Sequence, residues 1–185
     1  MVTGAGEGTS ASGKENMPLG VVIEIPSPLR ESLRAWRLTY GGESTAHVEP
    51  HITLVSGSTT DWDAAAAHVR AVAALAKPFN VRLEGTGTFR PVAPVVFLNV
   101  NEGGEECTAL HDSLTKGPLG HDLAFSYHPH VTIAHEVDDS SMDSAQGELR
   151  NESMGFTVTS MGLFGIDASG QWSLREELQL GGEGK

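Results

Sequence analysis

Apolar and polar residues alternate along this chain in two different rhythms. Residues 20–25, 51–55, 79–89, 95–100, 130–134, 156–166 and 172–180 are short β-rich or alternating runs, and each predicts a strand. Between them lie helical patterns. Pro28 suits the first turn of a helix that carries Leu29, Leu33, Trp36 and Arg37 and ends at Gly41-Gly42. Asp61 is a natural N-cap for an alanine-rich helix over residues 64–76, stopped by Pro78. Residues 105–114 predict a third helix, ended near Gly117-Pro118, and residues 140–151 a weaker fourth. The segment 90–94, with Pro91 and Pro94, reads as a connection, and residues 167–170 as a turn. Strands and helices mix without a βαβ rhythm, which predicts an α+β fold with antiparallel sheets over a doubly wound one. Residues 1–16 and 181–185 are poor in apolar side chains and predict disordered tails, leaving residues 17–181 as one folded unit.

One pattern occurs twice. Pro50-His51-Ile52-Thr53-Leu54 returns as Pro129-His130-Val131-Thr132-Ile133. A single His-x-Thr carries little information, and a lone strand histidine is more often a half-buried structural residue than a catalyst. Two copies of the five-residue pattern are not expected by coincidence. In a strand, residues i and i+2 project to one face. His51 and Thr53 therefore point together, as do His130 and Thr132, while the intervening apolar residues pack into the core. Each proline sits at a strand start, where its missing N–H costs least.

Two imidazoles and two hydroxyls suit phosphoryl chemistry. Hydrolysis of a phosphodiester needs a base to take a proton from water and an acid to protonate the leaving oxygen. Histidine can do either near neutral pH, its unperturbed pKa being about 6.5. Hydroxyl donors can stabilise charge on the non-bridging oxygens. A 2',3'-cyclic phosphate fits such a centre, because its strained ring opens without metal activation.

Composition narrows the picture. The 185 residues are 39% hydrophobic and 19% charged, enough apolar material for a packed core in one domain or two small lobes. The formal charge of −12 argues against tight binding of long nucleic acid, whose affinity comes largely from phosphate neutralisation. It leaves room for a nucleotide or an RNA terminus. The acidic groups Glu102, Glu105 and Glu106, and Glu136, Asp138, Asp139 and Asp143, read as solvated surface. No apolar run is long enough to span a bilayer, and the N-terminus lacks a charged-then-apolar signal, so no membrane contact is expected. Cys107 is the only cysteine, which fits a reducing cytoplasm.

The doubled motif resembles that of the two-histidine phosphoesterases, in particular the 2'-5' RNA ligase-like family of RNA 2',3'-cyclic phosphodiesterases. Its members carry two His-x-Thr/Ser-apolar motifs roughly 80 residues apart, and the motifs here are similarly spaced. The resemblance spans residues 18–180. It implies a bilobal fold, two antiparallel sheets with helices outside and the motifs lining the groove between lobes. It implies metal-free 2',3'-cyclic phosphodiesterase activity giving a 2'-phosphate, with some relatives acting on 2'-5' linkages or cyclic oligonucleotide signals. By the resemblance, His51 and His130 are the catalytic pair, with His51 as acid and His130 as base, and Thr53 and Thr132 bind phosphate. Relatives often place a basic residue shortly after the second motif, where this chain has Ala134-His135.

Other residues are weighed on their own chemistry. Phe89 could stack on a base and Arg90 could pair with a phosphate. Tyr127 and His128 precede the second motif and are candidates for substrate contact, whereas Phe125 reads as core. His128 and His130, with His121, His135 and His47, also raise a zinc reading. Pro50 breaks the helix that His47 and His51 would need, and no cofactor or metal is expected. There is no Walker loop and no Gly-x-Ser-x-Gly elbow, so nucleotide triphosphate and serine hydrolase chemistry lack support. The alternative to an enzyme is a non-catalytic module that holds a nucleotide or RNA end in the same groove.

Overall fold

The computed structural model describes residues 13–45, 47–119 and 126–181. His121 and Phe125, and most of both expected tails, lie outside these residues; Gly13 to Asn16 are exposed and without regular structure.

Among the described residues eight strands and four α-helices follow one another as β1 (Met17–Glu24), α1 (Leu29–Tyr40), β2 (His51–Thr59), α2 (Trp62–Leu75), β3 (Phe79–Thr88), β4 (Val95–Glu102), α3 (Gly104–Thr115), β5 (His130–His135), α4 (Asp139–Glu148), β6 (Ser153–Val158), β7 (Ser160–Ile166) and β8 (Trp172–Gln179), with a short 3-10 helix at Glu43–Thr45. The fold is α+β, as the alternation predicts. Local signals explain most boundaries. Asp61 is extended and accepts the Ala64 N–H, capping α2. Asp138 does the same for α4 through Ser141, which starts a helix of otherwise poor sequence. Gly41 closes α1 by donating its N–H to the Arg37 carbonyl.

The strands form two antiparallel sheets, ordered β2-β1-β7-β8 and β5-β4-β3-β6. The two halves of the chain are laid out alike, with one exchange. β1 and β2 begin the first sheet, but the strand that closes the first half, β3, pairs with β4 in the second sheet. In return β7, from the second half, pairs with β1. The helices repeat the pattern. α2 packs on β7 and β8, and α4 on β3 and β4, each behind its own sheet, whereas α1 lies against β5 and α3 against β2, each covering the other lobe's outer strand. The core runs through both sheets and includes Leu19, Val21, Ile23, Ile52, Leu54, Val96, Leu98, Val131, Ile133 and Met161.

Residues 156–166 are not one strand. The chain breaks at Thr159 and changes sheets, so that β6 pairs with β3 and β7 with β1. The two successive polar residues Thr159-Ser160 interrupt the alternation there, but no glycine or proline marks the crossing. The Thr159 carbonyl is instead satisfied by the Leu180 N–H at 2.9 Å, from beyond the end of β8. Among the described residues no helix is long and apolar enough to cross a membrane.

Candidate active site

Both motif strands are the outer strands of their sheets, and β2 and β5 approach one another. The likeness of the motifs extends beyond sequence. Along residues 51–55 and 130–134 burial runs in the same order: half-buried His, buried apolar, half-buried Thr, then two buried apolar residues. Two buried residues in succession require a break in the alternation, and each strand has one there. The register slips opposite Val21/Val22 between Thr53 and Val55, and opposite Val96/Phe97 between Thr132 and Ala134. A bulge next to each His–Thr pair bends the strand and re-aims its side chains.

The histidines are held identically. His51 Nδ1 lies 2.7 Å from the Glu49 carbonyl oxygen, and His130 Nδ1 lies 2.6 Å from that of His128. A carbonyl only accepts, so Nδ1 carries the hydrogen in both rings. Each neutral ring therefore presents an unprotonated Nε2. Burial pushes both imidazoles below their usual pKa, opposed in each case by the carbonyl bond. Positive charge on Arg37 and on His130 lowers His51 further, and charge on His128 lowers His130. β2 and β5 run close enough together that positive charge on His130 is felt at His51.

Aromatic side chains surround the centre. Phe89 meets the His130 ring edge-on at 5.0 Å and 88°, and packs at 4.5 Å on buried Phe97. His128 lies nearly parallel to His130, with ring centroids 6.2 Å apart, and its Nε2 is 3.3 Å from Asn99 Oδ1. On the other side Trp172 lies 5.6 Å from His51.

Two of the sequence candidates face elsewhere. The Arg90 guanidinium is bonded to Asp143, Asp139 and Gln146 of α4 and to the Thr88 hydroxyl, so the nearby acidic helix already neutralises it. Tyr127 donates its hydroxyl to the Thr53 carbonyl at 2.7 Å and stacks face to face on His111 at 4.1 Å. His111 Nδ1 in turn lies 2.7 Å from the Leu54 carbonyl. Both carbonyls lie at the bulge of an outer strand, where α3 and the approach to β5 supply the partners. Tyr127 is thus a support beneath the first motif. Burial pushes its hydroxyl pKa up, keeping it a donor.

Arg37, Asn99, His111 and Trp172 were not recognisable from sequence, because each reaches the site through tertiary packing. For Trp172 a signal existed in Gly20. A Cβ there would come within 2.4 Å of the Trp172 ring, so the glycine is what lets the indole cross the sheet. Gly41 plays a similar part for the second motif: a Cβ would meet the Ile133 carbonyl oxygen at 2.5 Å, so only glycine lets the end of α1 approach β5 so closely.

Among the described residues no group of three or more His, Cys, Asp or Glu is placed to hold a metal ion. The zinc candidates divide, since His130 and His128 line the site while His135 sits beside Glu136 at 3.9 Å.

Comparison with known proteins shows the family and the fold. A Bacillus pumilus protein named as a phosphoesterase is 30% identical over 173 residues, covering 91% of this chain and all of the relative. A similarly named protein of Geobacillus kaustophilus is 25% identical, covering 90% and 98%. Among solved structures, E. coli LigT complexed with 3'-AMP superposes with a TM-score of 0.67 at 16% identity, covering 90% and 99%. TT0787 of Thermus thermophilus superposes with a TM-score of 0.63 at 18% identity, covering 91% and 100%, so these two likenesses speak to the fold. The family profile of the 2'-5' RNA ligase superfamily matches residues 25–170, and both motifs lie inside that span. The chain belongs to the 2'-5' RNA ligase superfamily.

Proposed function

We propose that this protein is a metal-independent phosphodiesterase that opens a 2',3'-cyclic phosphate, on an RNA end or a small nucleotide, to leave a 2'-phosphate. The observation that carries the reading is the duplicated arrangement of His51 with Thr53 and His130 with Thr132, each ring fixed through Nδ1 and presenting Nε2. Relatives named as phosphoesterases support the reaction class. LigT structures with 3'-AMP, NADP+ and ATP support a nucleotide in the groove.

In the working assignment, His130 Nε2 takes a proton from water as its oxygen attacks phosphorus. The P–O3' bond breaks, and His51, protonated at Nε2, supplies the proton to O3'. The proton gained by His130 balances the one lost by His51, so the step as written closes without a metal. Thr53 and Thr132 donate to the non-bridging oxygens. Arg37 works against a proton on His51, and the negative charge of the bound diester offsets it. Phe89 and His128 flank the nucleoside. The lone, buried Cys107 fits a cytoplasmic setting.

The test is turnover of adenosine 2',3'-cyclic phosphate by the wild type, His51→Ala and His130→Ala, with thermal melts as a folding control. Loss of one proton-transfer group costs roughly 10²–10⁴ in rate, and chelator leaves the wild-type rate unchanged. Wild-type rates in both variants, across a panel of cyclic phosphates, would sink the proposal. Tight nucleotide binding by a wild type that makes no product would establish the binding module instead.

A further inference from the structure

We infer that a cavity beside the first motif is an anion site separate from the groove, where Arg37 and Arg34 take up one compact oxyanion of phosphate's size. The site is built from charge and space, and it stands whether or not the reaction proposed above occurs.

Arg37 occupies a core position. It lies one turn on from Leu33 along the buried face of α1 and is 8% exposed. A guanidinium keeps its charge even there, and a charge taken out of water needs an opposite one. Among the described residues Arg37 makes one hydrogen bond, from Nη2 to the Thr45 carbonyl at 2.8 Å, and its buried Nε–H has no acceptor. The carboxylate that acts on it electrostatically, Glu49, is bonded instead to Arg34 Nε at 2.6 Å. Two cations thus share one carboxylate, and one positive charge is left unmatched in a chain of formal charge −12.

Space adjoins that charge. Arg34, Arg37, Thr45, Val48, Glu49 and Pro50 line a cavity of about 180 Å³. Pockets for drug-sized ligands and cofactors run to roughly 300–1,000 Å³, so this one suits a single oxyanion and not a nucleotide. The guanidinium fork matches the edge of such an ion. The cavity meets the catalytic centre through the backbone. Its lining stops at Pro50 and does not include His51 or Thr53. Glu49 serves both places, its side chain on Arg34 and its carbonyl on His51 Nδ1. Two positive groups bear on His51, Arg37 from α1 and His130 from β5. An anion in the cavity screens the first of them, so its presence favours the protonated form of that ring.

The test is calorimetry with sodium sulfate at constant ionic strength. Sulfate also suits the groove, so the starting protein is the double variant His51→Ala/His130→Ala, which removes both groove histidines and leaves the cavity intact. It should bind one sulfate. Adding Arg37→Met should weaken that binding roughly 10- to 100-fold, the worth of a charge-assisted hydrogen bond. Adding Arg34→Gln should weaken it several-fold, and at its exposed position it carries the test if Arg37→Met does not fold in thermal melts. Absence of millimolar sulfate binding in the double variant, or unchanged affinity in either folded variant, would overturn the inference. Adenosine 2'-monophosphate tells a free oxyanion from one carried on a nucleotide. The double variant should prefer sulfate, and a nucleotide bound as tightly and lost with Arg37→Met would make the cavity an arm of the groove, overturning the separation. Turnover plays no part in these readouts. A protein that opens no cyclic phosphate keeps the anion site, and a failure of sulfate binding leaves the reaction untouched.

Discussion

Tyr127→Phe separates a structural support from a substrate contact by removing a single oxygen. The hydroxyl makes one bond, 2.7 Å to the Thr53 carbonyl, and the ring stack on His111 at 4.1 Å survives the change. A satisfied hydrogen bond is worth about 1 kcal/mol net, and a carbonyl left dry costs about 1–3 kcal/mol. The site is partly buried, so about 1–2 kcal/mol is expected. For a chain of this size that lowers Tm by about 3–6 °C. The same carbonyl belongs to the residue whose hydroxyl is proposed to meet the phosphate. Loosening it should lower kcat several-fold, with KM little changed. Thermal melts by circular dichroism and steady-state rates on a cyclic nucleotide read both effects. An unchanged Tm with a raised KM would refute the reasoning, because it would mean that the hydroxyl serves the substrate.

Four further outcomes follow from the structure. Because burial holds both imidazoles below the ordinary range, the protonated acid is lost as pH rises, and kcat/KM should peak below about pH 6.5. The same depression means the unfolded chain binds protons first on acidification, so stability should fall as pH drops through about 6.5, and His130→Gln should flatten that fall in pH-dependent melts. Thr132→Val removes one donor while keeping a β-branched side chain, and kcat should fall by roughly 10²–10³ while Thr132→Ser retains most activity; equal kcat in the two variants would remove the hydroxyl from the mechanism. Arg90→Ala should leave nucleotide KM unchanged and alter stability little, since its charge is paired with exposed Asp139 and Asp143; a large rise in KM would return Arg90 to the substrate.

What the sequence reveals here is whatever is decided locally. The caps at Asp61 and Gly41, the connection over residues 90–94 and the same-face placement of His51 with Thr53 all follow from neighbours a few positions away. The two bulges were hidden, because Leu54-Val55 and Ile133-Ala134 read as ordinary apolar pairs until a partner strand defines a register. Arg90 and Tyr127 have the chemistry of ligand contacts, and only the packing of α4 and of β2 shows other partners. Trp172 lies 121 positions beyond His51 in number, and only the β2-β1-β7-β8 order brings them together.

The exchange of β3 and β7 decides what happens when the chain is cut. A break within residues 89–94 leaves one His–Thr pair on each fragment, but β3 is then parted from β4, and β1 from β7. Each fragment bares an antiparallel edge whose natural mate is on the other. Neither piece has a finished sheet to fold around, so the two are expected to be inert apart and active when mixed, in a one-to-one complex. The groove behaves less like a cleft between two separable bodies than like a seam stitched from both sides.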